Sequence, residues 1–355
     1  MVNATKTVAV GMSGGVDSSA AAYILKNRGY NVIGITMLLG KESESERSAE
    51  DAKRIAEMLS MPHHVVDFSR IFEEKIKGEF ISEYLGGRTP NPCVTCNRII
   101  KYGKFMDVAR SLGADFVATG HYARVVYDSE NSIYRILRGK ADRKDQSYVL
   151  YSLSQKQLSS MILPLGEYES KEDIRKIANM FDLDVSEKKD STGICFIPDG
   201  NHKKYITEII GSAVGSGAIR DSEGKLLGRH SGIFNYTIGQ KRGLEVKLQK
   251  SLTVISIDAQ KNEIILGDDA LAYSKGLIAS NWSFTSGRAS FKELHVHAKI
   301  CQWGYFIESK VTKTDDDKLC VMFEKNERAV TPGQSVVFYN GDEVIGGGII
   351  ERDIR

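Results

Sequence analysis

The chain has 355 residues, 41% of them hydrophobic, enough to bury a large core and to divide into two or three domains. Lys and Arg total 48 against 46 Asp and Glu, a formal charge of +2, so any nucleic-acid surface must be a local patch. The chain does not open on a basic stretch followed by an apolar one, and no segment approaches a membrane span; a soluble cytoplasmic protein with no membrane partner is expected.

In chain order, the β-branched and apolar run at 7–10 predicts a buried strand. A loop follows, Gly11-Met12-Ser13-Gly14-Gly15-Val16-Asp17-Ser18-Ser19, and then a helix through Ala20, Ala21, Ala22, Ile24 and Leu25 that Gly29 ends. Strand, tight small-residue loop and helix start together make a site for anionic oxygen, because backbone N–H groups can approach a phosphate and the helix dipole adds positive charge. The loop lacks the Lys of G-x-x-x-x-G-K-[ST], which excludes the Walker site. Its pattern S-G-G-x-D-S resembles the pyrophosphate loop of the ATP pyrophosphatases. A carboxylate at Asp17 makes sense beside phosphates only with a bridging Mg²⁺, so ATP with Mg²⁺ is the expected nucleotide.

Strands at 31–37, 65–66 and 116–119 alternate with helices at 47–61 and 71–85, the pattern of a parallel sheet with right-handed crossovers. The loop then lies at the carboxyl end of the first strand, where such sheets bind ligands. Thr89-Pro90-Asn91-Pro92 predicts a stiff turn, and a helix is expected from Asn97. That reading puts Cys96 at a helix N-terminus near Arg98 and Lys101, which would lower its thiol pKa. A further helix is expected at 170–181, then a block around Cys195 with Lys188 and Lys189 before it. From about residue 205 glycine is frequent and strands are short, with hairpin turns at 221–224 and 340–341. The expected architecture is α/β plus β. A doubly wound catalytic domain (1–204) leads to a small β-rich domain (205–274), which reads as mostly antiparallel, and a C-terminal β-barrel or sandwich (275–355).

Five cysteines, an odd number, do not look like a disulfide framework. Cys93 and Cys96 form C-x-x-C, but no fourth zinc ligand sits at matching spacing. Cys96 and Cys195 lie in polar, basic, turn-rich surroundings, whereas Cys301 and Cys320 sit in apolar β context and read as packing residues. Adenylation makes a carbonyl oxygen a good leaving group, and a persulfide sulfur can then displace AMP.

With these residues in view the chain resembles the tRNA-specific 2-thiouridylases over nearly its whole length. The blocks that carry the likeness are the loop, Gly87-Arg88-Thr89-Pro90-Asn91-Pro92, Ala118-Thr119-Gly120-His121-Tyr122, Lys144-Asp145-Gln146-Ser147-Tyr148, Asp190-Ser191-Thr192-Gly193-Ile194-Cys195-Phe196-Ile197, Thr331-Pro332-Gly333-Gln334-Ser335 and Gly346-Gly347-Gly348-Ile349-Ile350. The resemblance implies conversion of a wobble uridine to 2-thiouridine, using ATP, a tRNA and a sulfur-donor protein (a cysteine desulfurase or relay protein), by a monomer. It implies ATP contacts at Gly11, Met12, Ser13, Gly14, Gly15, Val16, Asp17, Ser18, Met37 and Gly120. Cys96 would be the nucleophile and Cys195 the persulfide carrier. Asn91, Pro92 and Cys93 would meet the target base, and His121, Lys144, Asp145, Gln146 and Gln334 would contact tRNA. Two positions depart from the family pattern. Cys93 stands where Asp is common, so Cys93, Cys96 and Cys195 could hold an iron–sulfur cluster. Ile300-Cys301-Gln302-Trp303 stands where a basic–aromatic pair is common, although Trp303 could stack on a base. The competing readings are another enzyme with this loop, such as an amide-forming synthetase, and a non-enzymatic metal- and tRNA-binding protein.

Overall fold

The computed structural model describes residues 5–40, 43–179, 193–197, 199–211, 215–247, 250–288 and 290–355. Val8, Ala9 and Val10 are fully buried in β1 (Thr7–Gly11), the central strand of a five-stranded parallel sheet. Beside it lie β2 (Asn31–Leu38), β3 (His63–Asp67) and β4 (Phe116–Ala118). A hairpin of β5 (Ala123–Asp128) and β6 (Ile133–Arg138) then leaves the domain, and β7 (Met161–Ile162) returns to the sheet edge, giving the order β3-β2-β1-β4-β7.

Successive side chains of β1 point to opposite faces, and each face has its own helical layer. Val8 and Val10 join a core with Ala20, Ala21 and Leu25 of the helix Val16–Asn27, Ala52 and Ile55 of Ser43–Met58, and Ile174 of Lys171–Asn179. Ala9 joins the opposite core with Phe72, Ile76, Phe80, Ile100, Phe105 and Ala109. The doubly wound expectation therefore holds. The last residues of the helix expected at 170–181, and the stretch containing Lys188, Lys189, Asp190, Ser191 and Thr192, lie outside the described residues.

After the helix His202–Ile210 come β8 (Gly217–Asp221), β9 (Leu226–His230), β10 (Thr253–Asp258) and β11 (Glu263–Gly267). Their order is β10-β11-β8-β9, and the β11–β8 pair at its centre is parallel. Two antiparallel hairpins laid side by side bring these inner strands together in the same direction, a long-range pairing that turn residues do not encode. The remaining strands are β12 (Tyr273–Phe284), β13 (Glu293–Lys299), β14 (Ile307–Lys313), β15 (Leu319–Arg328), β16 (Ser335–Asn340) and β17 (Glu343–Ile354). They run β12-β15-β14-β13-β16-β17, and pairing of β12 with β17 closes a six-stranded barrel around Leu277, Val296, Val311, Val321, Val336 and Phe338. Residues 274–278 lie inside β12.

The barrel is joined to the first domain by a shared sheet. Ile136 and Leu137 of β6 pair with Val344 and Glu343 of β17, and Val337, Tyr339 and Val344 enter the core that holds Tyr148 and Tyr151. Tyr148 OH donates to the Ser335 carbonyl at 2.6 Å, deep in that junction.

Candidate functional site

The loop after β1 sits where the strand order reverses, with β2 on one side and β4 on the other, the position at which open α/β sheets take ligands. Met12 N–H still bonds the Ile35 carbonyl at 2.8 Å, and the chain then turns into the helix at Val16. Ser18 Oγ donates to the Gly15 carbonyl (3.1 Å) and accepts from Ser13 N–H (3.2 Å), which fixes the loop across its mouth. Met37 and Gly120 lie at the carboxyl ends of β2 and β4, beside the loop. A Cβ built on Gly120 would come within 2.9 Å of the Asp17 backbone, so only glycine lets this segment approach so closely. Asp17 is tied on both oxygens: Tyr122 OH donates to Oδ1 at 2.8 Å and Lys171 Nζ lies 2.7 Å from Oδ2. A lone lysine at the start of an amphipathic helix carries no sequence signal, and Lys171 is visible only through this pairing.

Asn91 caps a helix that begins at Pro92, its side chain accepting from Cys93 N–H at 3.1 Å, and Pro92 occupies the first helical position. Helical structure runs from Pro92 through a π-helical stretch, Asn97–Lys104, into Phe105–Ser111. Cys96 is therefore inside a helix rather than at the start of one, and this corrects the expected thiol pKa. Cys96 is buried beside Val94 and Ile100 in one core, and burial pushes its thiol up to about 11, with Lys101 pulling only partly the other way. Burial likewise raises the half-buried Cys93, against the charge of Lys101. Cys195 is exposed, yet the protein packed around its sulfur still raises it, again with Lys101 as the largest opposing charge. The next residue, Phe196, anchors this segment edge-on against Phe72 (5.6 Å) and Phe80 (5.3 Å), in the core that also holds Cys96.

The residues expected at the tRNA surface divide. Lys144 is half-exposed. Gln146 accepts from Tyr122 N–H at 3.0 Å and so supports the segment that holds Asp17. His121 is interior, its Nδ1 2.7 Å from Thr119 Oγ1 and 3.2 Å from Tyr102 OH, and burial keeps it neutral. Asp145 is also interior, accepting from Gly139 N–H, Ser147 N–H and Ser147 OH. Both therefore order the segments around the loop; neither faces solvent. Gln334 Nε2 donates to the Thr89 carbonyl at 2.8 Å, and Thr89 N–H donates to the Pro332 carbonyl at 2.8 Å. This fastens the barrel to the Thr-Pro-Asn-Pro turn, beside a cavity of about 100 Å³ lined by Glu79, Arg88, Asn91, Pro92 and Thr95. Burial raises the carboxyl of Glu79 in that cavity, a residue the sequence did not single out. Trp303 is 72% exposed on the barrel.

Among the described residues the three thiols are not gathered into an iron–sulfur site. Cys93 and Cys96 feel the charge of Cys195, but no three His, Cys, Asp or Glu side chains among the described residues are grouped to hold a metal ion.

A parallel sheet with a small-residue loop at its switch point, followed by a small β domain and a closed barrel, defines a nucleotide-binding HUP-type protein with two β appendages. Residues 6–199 match the family described as the tRNA methyl transferase HUP domain, residues 203–268 the tRNA methyl transferase PRC-barrel domain, and residues 274–350 the aminomethyltransferase beta-barrel domain. The chain is 46% identical over 359 residues to the tRNA-specific 2-thiouridylase MnmA 2 of Thermoanaerobacter sp. (strain X514), spanning 98% of each. It is 44% identical to MnmA of Clostridium acetobutylicum, over 98% of this chain and 99% of that one, and 42% identical to MnmA of Clostridioides difficile (strain 630) over the same shares. The chain belongs to the tRNA-specific 2-thiouridylase family.

Proposed function

We propose that this protein is an ATP-dependent tRNA sulfurtransferase that converts a wobble uridine to 2-thiouridine and releases AMP and pyrophosphate. The observation that carries the reading is the joining, in one domain, of a pyrophosphate loop with two thiol segments packed into one core, both under the charge of Lys101. Gly11 through Ser18, Met37 and Gly120 hold ATP. Among the described residues Tyr122 OH bonds one Asp17 oxygen and Lys171 Nζ the other, and each carboxylate oxygen has a second lone pair with which Asp17 can hold the Mg²⁺ that arrives with ATP. Asn91, Pro92 and Cys93 present the target base to the loop; Lys144, Gln146 and Gln334 lie toward the RNA, with His121 and Asp145 positioning their segments.

The uracil O2 attacks the α-phosphorus, the bond to the bridging oxygen breaks, pyrophosphate leaves with the electron pair, and the N3 proton passes to solvent. The terminal sulfur of a Cys195 persulfide, loaded by a cysteine desulfurase or relay protein, then attacks carbon 2 and AMP leaves. Cys96 attacks the Cys195 sulfur and breaks the S–S bond. The electron pair goes to the sulfur on the base, leaving 2-thiouridine and a Cys96–Cys195 disulfide for an external thiol to reduce. The protein works in the cytoplasm as a monomer.

Among the described residues no helix is long and apolar enough to cross a membrane. An amide-forming synthetase would have no use for Cys96 or Cys195, and a binding protein would not consume ATP. The test is incubation with a wobble-uridine tRNA, ATP and a persulfide donor, followed by nucleoside mass spectrometry and AMP assay. Formation of 2-thiouridine with AMP supports the reading; 2-thiouridine formation that survives in Cys195→Ser, or AMP release by the wild type with no 2-thiouridine formed, overturns it.

A further inference from the structure

The helical run from Ser69 to Leu85 is interrupted by a π turn, Glu73–Lys77, which brings both Ile76 and Lys77 to its buried side. Single π turns recur at functional sites. Lys77 is only 7% exposed, an unusual place for a lysine. Its Nζ pairs with exposed Glu73 at 2.6 Å, one turn back, a contact that both side chains could make in water. The ion pair therefore does not account for the burial. What burial does is place the ammonium at the ligand end of the sheet: a Cβ on Gly40, just past β2, would lie 4.0 Å from Nζ. It also sets the ammonium 5.9 Å from the centre of the Phe196 ring and 5.8 Å from that of Phe72. Phe196 follows Cys195, and its ring fixes that segment in the core. Among the described residues, Lys101 acts on Cys93, Cys96 and Cys195 alike, whereas the charge of Lys77 reaches Cys195 and neither of the other two thiols.

We propose that Lys77 is the counter-ion of the sulfur carried on Cys195, first as the thiolate and then as the persulfide. The Cys195 thiolate attacks the terminal sulfur of a persulfide donor. The donor's S–S bond breaks, and its electron pair leaves with the donor thiolate. The proton on the transferred sulfur passes to solvent, and the Cys195–S–S⁻ anion is held by the ammonium. Glu73 shares the charge of Lys77 while Cys195 is neutral. The inference rests on the sulfur-carrier role of Cys195 proposed above and adds to it a residue from a helix that carries neither thiol.

Timed iodoacetamide pulses between roughly pH 6 and 9, read by peptide mass spectrometry, follow the thiolate without tRNA or ATP. Loading by glutathione persulfide, read as one added sulfur on the Cys195 peptide, follows the transfer. Lys77→Met should slow both reactions of Cys195 by about five- to tenfold at neutral pH, the order of losing one nearby charge, with Cys96 alkylation changed less than about twofold. Lys77→Arg should keep most of the rate. Glu73→Gln, a surface change, should act in the opposite direction and speed Cys195 alkylation, because it frees the charge of the lysine. Cys195 rates unchanged or raised in Lys77→Met would overturn the proposal. So would slowing in Glu73→Gln, or an equal change at Cys96, either of which marks a loosened core rather than a lost charge. A wild-type enzyme that loads Cys195 through Lys77 but forms no 2-thiouridine would refute the function above and leave this assignment standing. Formation of 2-thiouridine with Cys195 rates independent of Lys77 would do the reverse.

Discussion

A thiol in the second turn of a helix, in a core with Val94 and Ile100, is costly to ionise, and for Cys96 burial outweighs the nearby charge of Lys101. Since the thiol sits at about 11, its thiolate is scarce at neutral pH and grows as pH rises. Alkylation of Cys96 in the free enzyme should therefore speed up about tenfold per pH unit between roughly pH 7 and 10, with no plateau, and more slowly in Lys101→Met. Peptide mass spectrometry after timed iodoacetamide pulses checks this; a plateau below pH 8 would contradict it. Exposed Cys195 should be labelled first. Asp17→Ala should abolish tRNA-dependent release of AMP and pyrophosphate with the fold retained, and near-normal AMP formation would remove the loop from the mechanism. At this scale the loop was legible because its small residues and its place after a buried strand state their purpose. Lys171 was not, because its partner Asp17 is on another helix, and Cys96 was misplaced because the helix start was read one turn late.

That misreading has a local cause. Asn91-Pro92 is a turn signal and equally a cap followed by a proline at the first helical position, and the structure uses it as the cap. Asn91→Ala should cost about 1 kcal/mol, the usual loss for an N-cap, visible as a lowered urea midpoint. The π-helical stretch Asn97–Lys104 that follows leaves Asn97 Oδ1 buried without a partner among the described residues, a geometry that periodicity cannot announce. On the barrel side, Gly333 has φ +92°, and a Cβ there would come within 2.9 Å of the Thr89 amide. Gly333→Ala should cost roughly 1–3 kcal/mol and loosen the barrel from the Thr-Pro-Asn-Pro turn, which thermal unfolding together with proteolysis at that turn would register. The hairpin of β5 and β6 was missed altogether, because the strand that completes its sheet, β17, lies at the far end of the chain.

Over the whole molecule the near-balanced charge leaves tRNA binding to a patch, for which Arg88, Arg98, Lys101, Arg143 and Lys144 are the candidates. Affinity should fall steeply with salt, with the slope flattening by roughly 0.7–0.9 for each phosphate-contacting lysine or arginine replaced. An unchanged slope in Arg143→Ala/Lys144→Ala would remove that pair from the surface. The order of the domains was readable from composition, since alternating strands and helices give way to short glycine-rich strands. Barrel closure and the parallel β11–β8 pair were not, because both depend on strands far apart in sequence. The central claim is that one turnover passes sulfur from Cys195 to the base and ends with Cys96 bonded to Cys195. It is tested most directly by a single turnover of persulfide-loaded enzyme with ATP and tRNA in the absence of reductant, read by peptide mass spectrometry beside nucleoside analysis. The account predicts one Cys96–Cys195 disulfide for each 2-thiouridine and each AMP formed. Full 2-thiouridine formation by Cys96→Ser, or turnover that leaves Cys96 and Cys195 as free thiols, would contradict it.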